Sequence, residues 1–171
     1  RRIADLYPGN AKTDARDAFI IADAARTLPD TLLPIAQHDD IVEGLRMLAG
    51  FDADLAAEEN RINGRIRSVL LTVHPALERA IGKHLYRPVG IAVLAAFGGP
   101  IGLAATTSTQ LREVTKAAAP RIGDTVADSI EAALGEQTVT VPGVEKADFV
   151  LRTLARQLHQ VREARADLEV Q

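Results

Sequence analysis

Two aspartates three residues apart, Asp14 and Asp17, are the residues whose type and spacing best suit chemistry. They lie in the segment AKTDARDAFIIADAART, residues 11–27. Side chains at positions i and i+3 of a helix lie on the same side, about 5–6 Å apart at Cβ. Two carboxylates placed in this way can supply part of the oxygen shell of Mg²⁺, and a two-metal site also needs carboxylates from elsewhere in the chain. The pair is therefore a candidate for half of a divalent-metal site.

The segment around this pair has the pattern of a helix. Thr13 suits the N-cap position, and the helix should end near Thr27 because the residue before Pro29 disfavours the helical region. Acidic residues in the first turn also stabilise a helix through its dipole, by about 0.3–1 kcal/mol each. This alternative, in which the aspartates are ordinary first-turn residues, needs no metal.

A helical wheel places both aspartates on or beside the apolar face that contains Ile21, Ala25 and Leu28. The other charged residues of the segment cluster on the opposite side. Because an unpaired carboxylate is costly to bury, a buried pair would require cations, hydrogen-bond donors or a metal ion. The wheel therefore predicts that the carboxylates face a buried environment, which favours the metal interpretation.

A long helix is predicted over residues 39–74, ending before Pro75. From position 41 to position 73, ten positions alternate spacings of four and three, and eight of them are aliphatic. The exceptions are Asp52 and Glu59. This spacing over more than four heptads is typical of a coiled-coil seam.

The end of the chain repeats the pattern in a return helix predicted over 144–171. Apolar residues recur at coiled-coil spacing from Ala147 to Leu168, with Arg165 as the exception. The two stripes predict antiparallel pairing of the long helices, within one chain, between chains, or both. We favour a homodimer or higher homo-oligomer.

Between them, residues 76–143 have the pattern of a helical head, a cluster of short helices separated by Pro and Gly. The motif GGPIG at 98–102 lacks the lysine and the length of a phosphate-binding loop and is interpreted as an interhelical turn. Thr107 and Gln110 have the spacing of a capping box. Only QTVTV, 137–141, alternates like a strand, and one strand cannot form a sheet. The predicted fold class is all-α.

The amino-acid composition excludes several classes of site. Cysteine is absent, which excludes disulfides, zinc knuckles and thiol nucleophiles. No apolar run approaches the roughly 18 residues of a membrane span, so we expect a soluble cytoplasmic protein without a membrane partner. A start at Arg1-Arg2 without methionine suggests a fragment.

Charge is unevenly distributed, although the net charge is only −3. Residues 39–59 hold seven acids against one base, whereas residues 61–87 hold six bases against Glu78 alone. Such a basic block indicates a nucleic-acid footprint or a solvated helix face. The candidate phosphate contacts are Arg61, Arg65, Arg67 and Lys83.

The segment 11–27 closely resembles the region that holds the last two acids of the DEDD insertion-sequence transposases, the family that includes the pilin-gene invertases. The pattern is carried by Lys12, Asp14, Asp17 and Ala18. The resemblance continues through the arginine-rich helix and proline break at 45–81, and less specifically to the last helix.

This resemblance implies that residues 1–34 end a ribonuclease-H-like catalytic domain and that residues 35–171 form its coiled-coil domain. Asp14 and Asp17 would be catalytic metal ligands for divalent ions such as Mg²⁺. The partner would be DNA, and some members of the family also use a structured guide RNA. The other two acids and a serine nucleophile would lie outside residues 1–171, so we expect this fragment alone to be inactive.

Two other functions fit parts of the sequence. A helical coiled-coil dimerisation scaffold that binds only protein would explain the heptads without a metal. A small helical enzyme would need a nucleophile and a base at related positions, and the sequence offers no such pair. A strong salt dependence of nucleic-acid binding would separate the transposase from the scaffold.

Overall fold

The computed structural model describes residues 14–27, 40–136 and 141–170, and within these ranges it contains helices and no strands. The all-α prediction is therefore confirmed for the described residues. The helices are α1 (Asp14–Thr27), α2 (Asp40–Val73), α3 (Pro75–Ile81), α4 (Pro88–Phe97), α5 (Pro100–Ala104), α6 (Ser108–Ala118), α7 (Gly123–Glu136) and α8 (Val144–Leu168). A single 3₁₀ turn, Gly82–His84, follows α3.

The chain divides into two compact units, Arg1–Leu45 and Arg46–Gln171. The first contains α1 and the start of α2, and the second contains the rest of α2 and the helices that follow. The domain boundary predicted between residues 34 and 35 lies outside the described residues and stays a prediction. Most of the strand-like segment, residues 137–140, also lies outside them.

Helix α1 has the predicted extent but not the predicted buried face. It buries Ile20 and Ala24, which are 7% and 1% exposed, whereas Ile21 is 65% exposed. Ala25 is exposed too, and Leu28 lies outside the described residues. The wheel prediction was wrong because the segment DAFIIADAA carries apolar residues on every side, so the sequence alone does not select one face.

The predicted end of the long helix is confirmed, since α2 ends at Val73. The next residue, His74, caps α3: its Nδ1 accepts a hydrogen bond from the backbone N–H of Leu77 at 3.1 Å. Pro75 occupies the first turn of α3, where its missing N–H costs nothing. The break between α2 and α3 is thus built by adjacent residues.

The hydrophobic core of the second unit draws on α2, α3, α4, α7 and α8, with smaller contributions from α5 and α6. Its fully buried side chains are aliphatic, as expected for a chain with only 4% aromatic residues. Helix α2 contributes Ile62, Ile66 and Leu70, and α8 contributes Leu151 and Leu158. The apolar stripes of both helices are therefore buried within this unit along these stretches.

The residues that interrupt the two stripes contact one another. Arg165 of α8 donates from Nε to Asp52 Oδ1 at 2.8 Å and from Nη1 to Glu59 Oε2 at 3.0 Å. Arg162 donates from Nε to Glu59 Oε1 at 2.8 Å. Because higher-numbered residues of α2 meet lower-numbered residues of α8, the helices run in opposite directions. Antiparallel pairing thus occurs within the chain, and regular coiled-coil packing stays a prediction.

The interhelical turn predicted at GGPIG is formed by Gly98 and Gly99, whereas the last three residues of the motif, 100–102, already belong to α5. Gly98 has φ +81° and ψ −127°, a region that side chains rarely adopt. Gly99 lies against α8, where an added Cβ would come within 2.5 Å of Asp148 Oδ1. The Asp148 carboxylate accepts hydrogen bonds from the backbone N–H groups of Ile101 at 3.3 Å and Gly102 at 2.6 Å. The glycines therefore let α5 approach α8 closely.

The capping box predicted at the start of α6 is also present. Gln110 N donates to Thr107 Oγ1 at 3.3 Å, and Thr107 N donates to Gln110 Oε1 at 3.1 Å. Two N–H groups at the helix start are satisfied in this way. The motif fixes where α6 begins after the short helix α5.

Candidate functional site

The candidate metal ligands, Asp14 and Asp17, both lie in the first turn of α1. Both side chains are exposed, in contrast to the buried environment predicted from the wheel. Neither forms an ion pair with another residue that the structure describes. Their carboxylates are thus placed side by side on one helix turn and are open to a ligand.

The donor chemistry of this pair fits a divalent ion. Mg²⁺ is bound in proteins by carboxylate oxygens together with water and substrate phosphate. Within the described ranges, no group of three or more His, Asp or Glu side chains is arranged to hold a metal ion. Asp14 and Asp17 alone could therefore supply only part of the oxygen shell of such an ion.

Two of the four predicted phosphate contacts are engaged with carboxylates. Arg61 pairs with Glu58 one turn earlier in α2, at 2.6 Å. Arg67 Nε donates to Glu78 Oε1 at 2.7 Å, and Glu78 is only 7% exposed. This hydrogen bond, followed by the charge of Glu78, raises the pKa of the Arg67 guanidinium. Both arginine side chains remain at least half exposed, at 60% and 50%.

The other two predicted contacts are exposed cations. Arg65 borders a groove of about 380 Å³ between α2 and α8, together with Leu55, Ile62 and Val161. Lys83 lies in the 3₁₀ turn after α3, and its charge contributes, after burial, to lowering the pKa of the neighbouring His84. Three of the four residues thus lie along α2, and Lys83 lies in the 3₁₀ turn after α3.

Sequence reasoning missed part of this basic surface. Arg87 belongs to the basic block of residues 61–87 but is not one of the four predicted contacts, and Arg121 lies outside that block. Arg87 and Arg121 line one groove of about 390 Å³ together with Pro88, Pro120 and Ile122. The available signal was the segment KHLYR, residues 83–87, in which a tyrosine lies between basic residues. The approach of Arg121 could not be found, because it comes from a distant part of the sequence.

Comparison with known proteins identifies the family. A family model described as a transposase, of the DEDD type found in IS110 elements, matches residues 1–75. The chain is also 47% identical over 171 residues to a 43.6 kDa protein of insertion element IS110 from Streptomyces coelicolor. That match covers all of this chain and 42% of the relative. These matches support assignment of the chain to the IS110 family of DEDD transposases.

Two further relatives of the family come from other insertion elements. A 44.8 kDa protein of IS116 from Streptomyces clavuligerus is 34% identical over 157 residues, which cover 92% of this chain and 39% of the relative. A 42 kDa protein of IS900 from Mycobacterium paratuberculosis is 34% identical over 158 residues, which cover 91% of this chain and 38% of the relative.

The chain spans about two fifths of the length of these curated relatives. No solved structure matches it. In the parts of the chain that the structure describes, no helix is long and apolar enough to cross a membrane. The family resemblance expected from Lys12, Asp14 and Asp17 is thus confirmed, and the roles of these residues stay predictions.

Proposed function

We propose that this chain is part of a DNA transposase that recombines the ends of an insertion element, with Asp14 and Asp17 as two ligands of its divalent-metal site. The proposal is carried by one observation above all: the paired carboxylates are exposed on a single helix turn, inside the segment matched by the family model. The whole protein would act on DNA in the bacterial cytoplasm.

The two aspartates have a defined chemical role in this proposal. Bound Mg²⁺ would neutralise phosphate charge and favour the attack of an oxygen nucleophile. Asp14 and Asp17 would hold such an ion by direct carboxylate coordination, and the rigid turn of α1 would fix their separation. Because a pair supplies only half of the four acids in the DEDD pattern, residues 1–171 alone are expected not to recombine DNA.

A metal-binding measurement tests these roles. Mn²⁺ binding to the full-length protein is compared between wild type, Asp14→Asn, Asp17→Asn and Asp23→Asn. Asp23 is the matched control, because it lies on the same helix and its carboxylate is already paired with Arg26 at 2.8 Å. Substituting groups that merely support metal ligands costs about 10–100-fold in affinity, so losing a ligand should cost no less.

The ligand roles of Asp14 and Asp17 are supported if both first-turn variants lose Mn²⁺ affinity and Asp23→Asn retains it. Equal affinity in all four proteins would contradict them and would leave the aspartates as helix-stabilising residues. Circular dichroism of each variant shows whether α1 and the rest of the protein stay folded. Asn at these positions keeps the size and polarity of the side chain, so the comparison isolates the charge.

We also propose that the second unit binds nucleic acid through Arg61, Arg65, Arg67 and Lys83. Exposed Arg65 and Lys83 would contact phosphates directly. Arg61 and Arg67 would contact phosphate from their carboxylate pairs, since each keeps at least half of its side chain exposed. The nucleic acid would be DNA, with a structured guide RNA as a second candidate ligand.

The salt dependence of binding tests these contacts one at a time. Removing one phosphate contact should reduce the slope of log K against log salt by about 0.9 for duplex DNA. Arg156 of α8, which is exposed and forms no ion pair with a described residue, provides a control substitution to alanine. A slope unchanged by all four substitutions would remove this surface from the proposal.

We further propose that the protein forms a homodimer through the part of α2 that α8 does not cover. Met47, Leu48 and Phe51 are 72%, 36% and 51% exposed, which is unusual for three large apolar residues within two turns. Met47→Glu with Phe51→Glu should shift the full-length protein towards monomer in sedimentation velocity. An unchanged sedimentation coefficient would contradict this interface.

The same exposed residues favour a second candidate function, a scaffold that pairs only with protein. That function predicts dimerisation without nucleic-acid binding and without any effect of Asp14→Asn. The transposase proposal predicts both nucleic-acid binding and an effect of Asp14→Asn. Nucleic-acid binding by the full-length protein therefore separates the two candidates.

A further inference from the structure

The turn between α3 and α4 places an exposed aromatic ring among basic side chains. Tyr86 is 63% exposed, although the residue before it, Leu85, is completely buried. Lys83 and Arg87 flank it in sequence, and both are exposed. We call Lys83, Tyr86 and Arg87, together with Arg121, the aromatic-basic corner.

This turn is fixed by its own packing. The N–H of Leu85 donates to Gly82 O at 3.3 Å, and the N–H of Arg87 donates to His84 O at 2.9 Å. Arg162 of α8 donates from Nη2 to Leu85 O at 2.7 Å. Since the Leu85 side chain is also buried in the core, the backbone that carries Tyr86 is held in place on both sides.

The cations of the corner differ from most other bases of the second unit. Arg79 pairs with Glu136 at 2.7 Å, and Arg112 contacts three carboxylates of α7. By contrast, Lys83, Arg87 and Arg121 form no ion pair with any residue that the structure describes. The nearby acid Glu78 is engaged by Arg67. The corner therefore presents net positive charge.

Two charges of the corner, those of Lys83 and Arg87, are close enough to influence the His84 imidazole. The pKa of His84 is lowered, first by burial and then by the charges of Lys83 and Arg87. Arg87 and Arg121 border the same groove of about 390 Å³, whose other lining residues are apolar. Both cations thus border an apolar surface next to the turn that carries Tyr86.

A ligand that fits this arrangement carries an aromatic ring and negative charges at regular spacing. Unpaired nucleotides have both features: bases stack on aromatic side chains, and the phosphates between them contact Lys and Arg. A duplex keeps its bases stacked on each other, so it cannot use the Tyr86 ring in this way.

We propose that the aromatic-basic corner binds unpaired nucleotides, with one base stacked on Tyr86 and the adjoining phosphates held by Lys83, Arg87 and Arg121. This inference rests on the proposed nucleic-acid binding and adds the form of the ligand. Single-stranded DNA and the unpaired loops of an RNA share the required chemistry.

Fluorescence anisotropy of the full-length protein tests the proposal with three labelled probes: a single-stranded DNA, a single-stranded RNA of the same sequence, and the blunt DNA duplex. Tyr86→Ala should weaken single-strand binding on the order of tenfold and leave duplex binding unchanged. Tyr86→Phe, which keeps the ring, should bind as wild type does. Phe149→Ala removes a 73% exposed ring from α8 and serves as the matched control.

The outcomes separate this inference from the proposed function. Weaker single-strand binding in Tyr86→Ala alone supports the proposal for the corner. The single-stranded probe that loses affinity, whether RNA, DNA or both, identifies the source of the nucleotides. Two results would overturn the proposal for the corner and leave the proposed nucleic-acid binding intact. One is that Tyr86→Ala binds single strands as well as Phe149→Ala does. The other is that Tyr86→Ala weakens duplex binding as much as single-strand binding. If wild type binds none of the probes, both proposals are overturned.

Discussion

Replacing Leu158 of α8 by alanine should lower the free energy of unfolding by about 2–5 kcal/mol. The Leu158 side chain is 0% exposed and belongs to the same core cluster as Ile62 and Ile66 of α2. The substitution removes three buried side-chain carbons with their hydrogens. At roughly 0.8 kcal/mol for each, their lost burial accounts for a little over 2 kcal/mol of the decrease. The cavity left in the core accounts for the rest of the range.

Urea unfolding of the 171-residue chain, followed by far-ultraviolet circular dichroism, measures this effect. Leu71→Ala in α2 is the matched control, because the same atoms are removed from a side chain that is 53% exposed. The control should change the free energy of unfolding by no more than about 0.5 kcal/mol. The slope m should be the same in all three proteins, since the surface exposed on unfolding hardly differs.

Protein concentration provides the second arm of this experiment. Because α8 buries its stripe within the chain, the difference between Leu158→Ala and wild type should be equal at low and high concentration. Two results would refute the reasoning. One is a Leu158→Ala effect no larger than that of Leu71→Ala, and the other is a difference that grows on dilution, as expected for a stripe buried between subunits.

Three further predictions follow from local structure. Gly98→Ala should lower the free energy of unfolding by about 1–3 kcal/mol, because Gly98 has a positive φ. Gly64→Ala, in an open helical position of α2, should raise it by about 0.5–1 kcal/mol, and thermal unfolding of both variants measures the difference. Thr107→Ala should cost about 1 kcal/mol through loss of the capping box, measured in urea, and Thr107→Ser should restore most of it. Burial lowers the pKa of His74, so its contribution to stability should be complete above its ordinary pKa of 6.5 and decline as the pH falls below that value. His74→Asn, which keeps a cap acceptor, should flatten this decline in unfolding midpoints measured across the pH range.

Features decided by neighbouring residues could be predicted from the sequence. The end of α2 before Pro75, the turn at Gly98 and the capping box at Thr107 depend on backbone restrictions and hydrogen bonds that span a few residues. The helical class follows from the long apolar periodicity and the near absence of strand-like segments. These elements were therefore located correctly without tertiary information.

Features decided by distant residues could not be predicted in the same way. Asp52 and Arg165 were each recognised as interruptions of an apolar stripe, yet they are 113 positions apart and only the structure pairs them. The pKa of the Asp52 carboxyl is lowered by its hydrogen bond to Arg165. An interruption in one stripe gives no indication of the partner that compensates it.

The candidate site also has features that the sequence predicts and features that only the structure shows. The spacing of Asp14 and Asp17 and the family resemblance come directly from the sequence, and α1 places both carboxylates in one turn. Their exposure was not predicted, because the apolar residues of α1 surround the helix. The engagement of Arg67 by buried Glu78 was also not predicted, since it depends on how α3 folds back after Pro75.

The central claim is that Asp14 and Asp17 hold a metal ion needed for recombination. Its most direct test is recombination of the element's own ends by the full-length protein, comparing wild type with Asp14→Asn, Asp17→Asn and the control Asp23→Asn. Each variant is first shown to fold and to bind nucleic acid. We predict that both first-turn variants lose recombination and that Asp23→Asn recombines normally. Normal recombination by Asp14→Asn and Asp17→Asn would contradict the claim and leave the two aspartates as ordinary first-turn residues of α1.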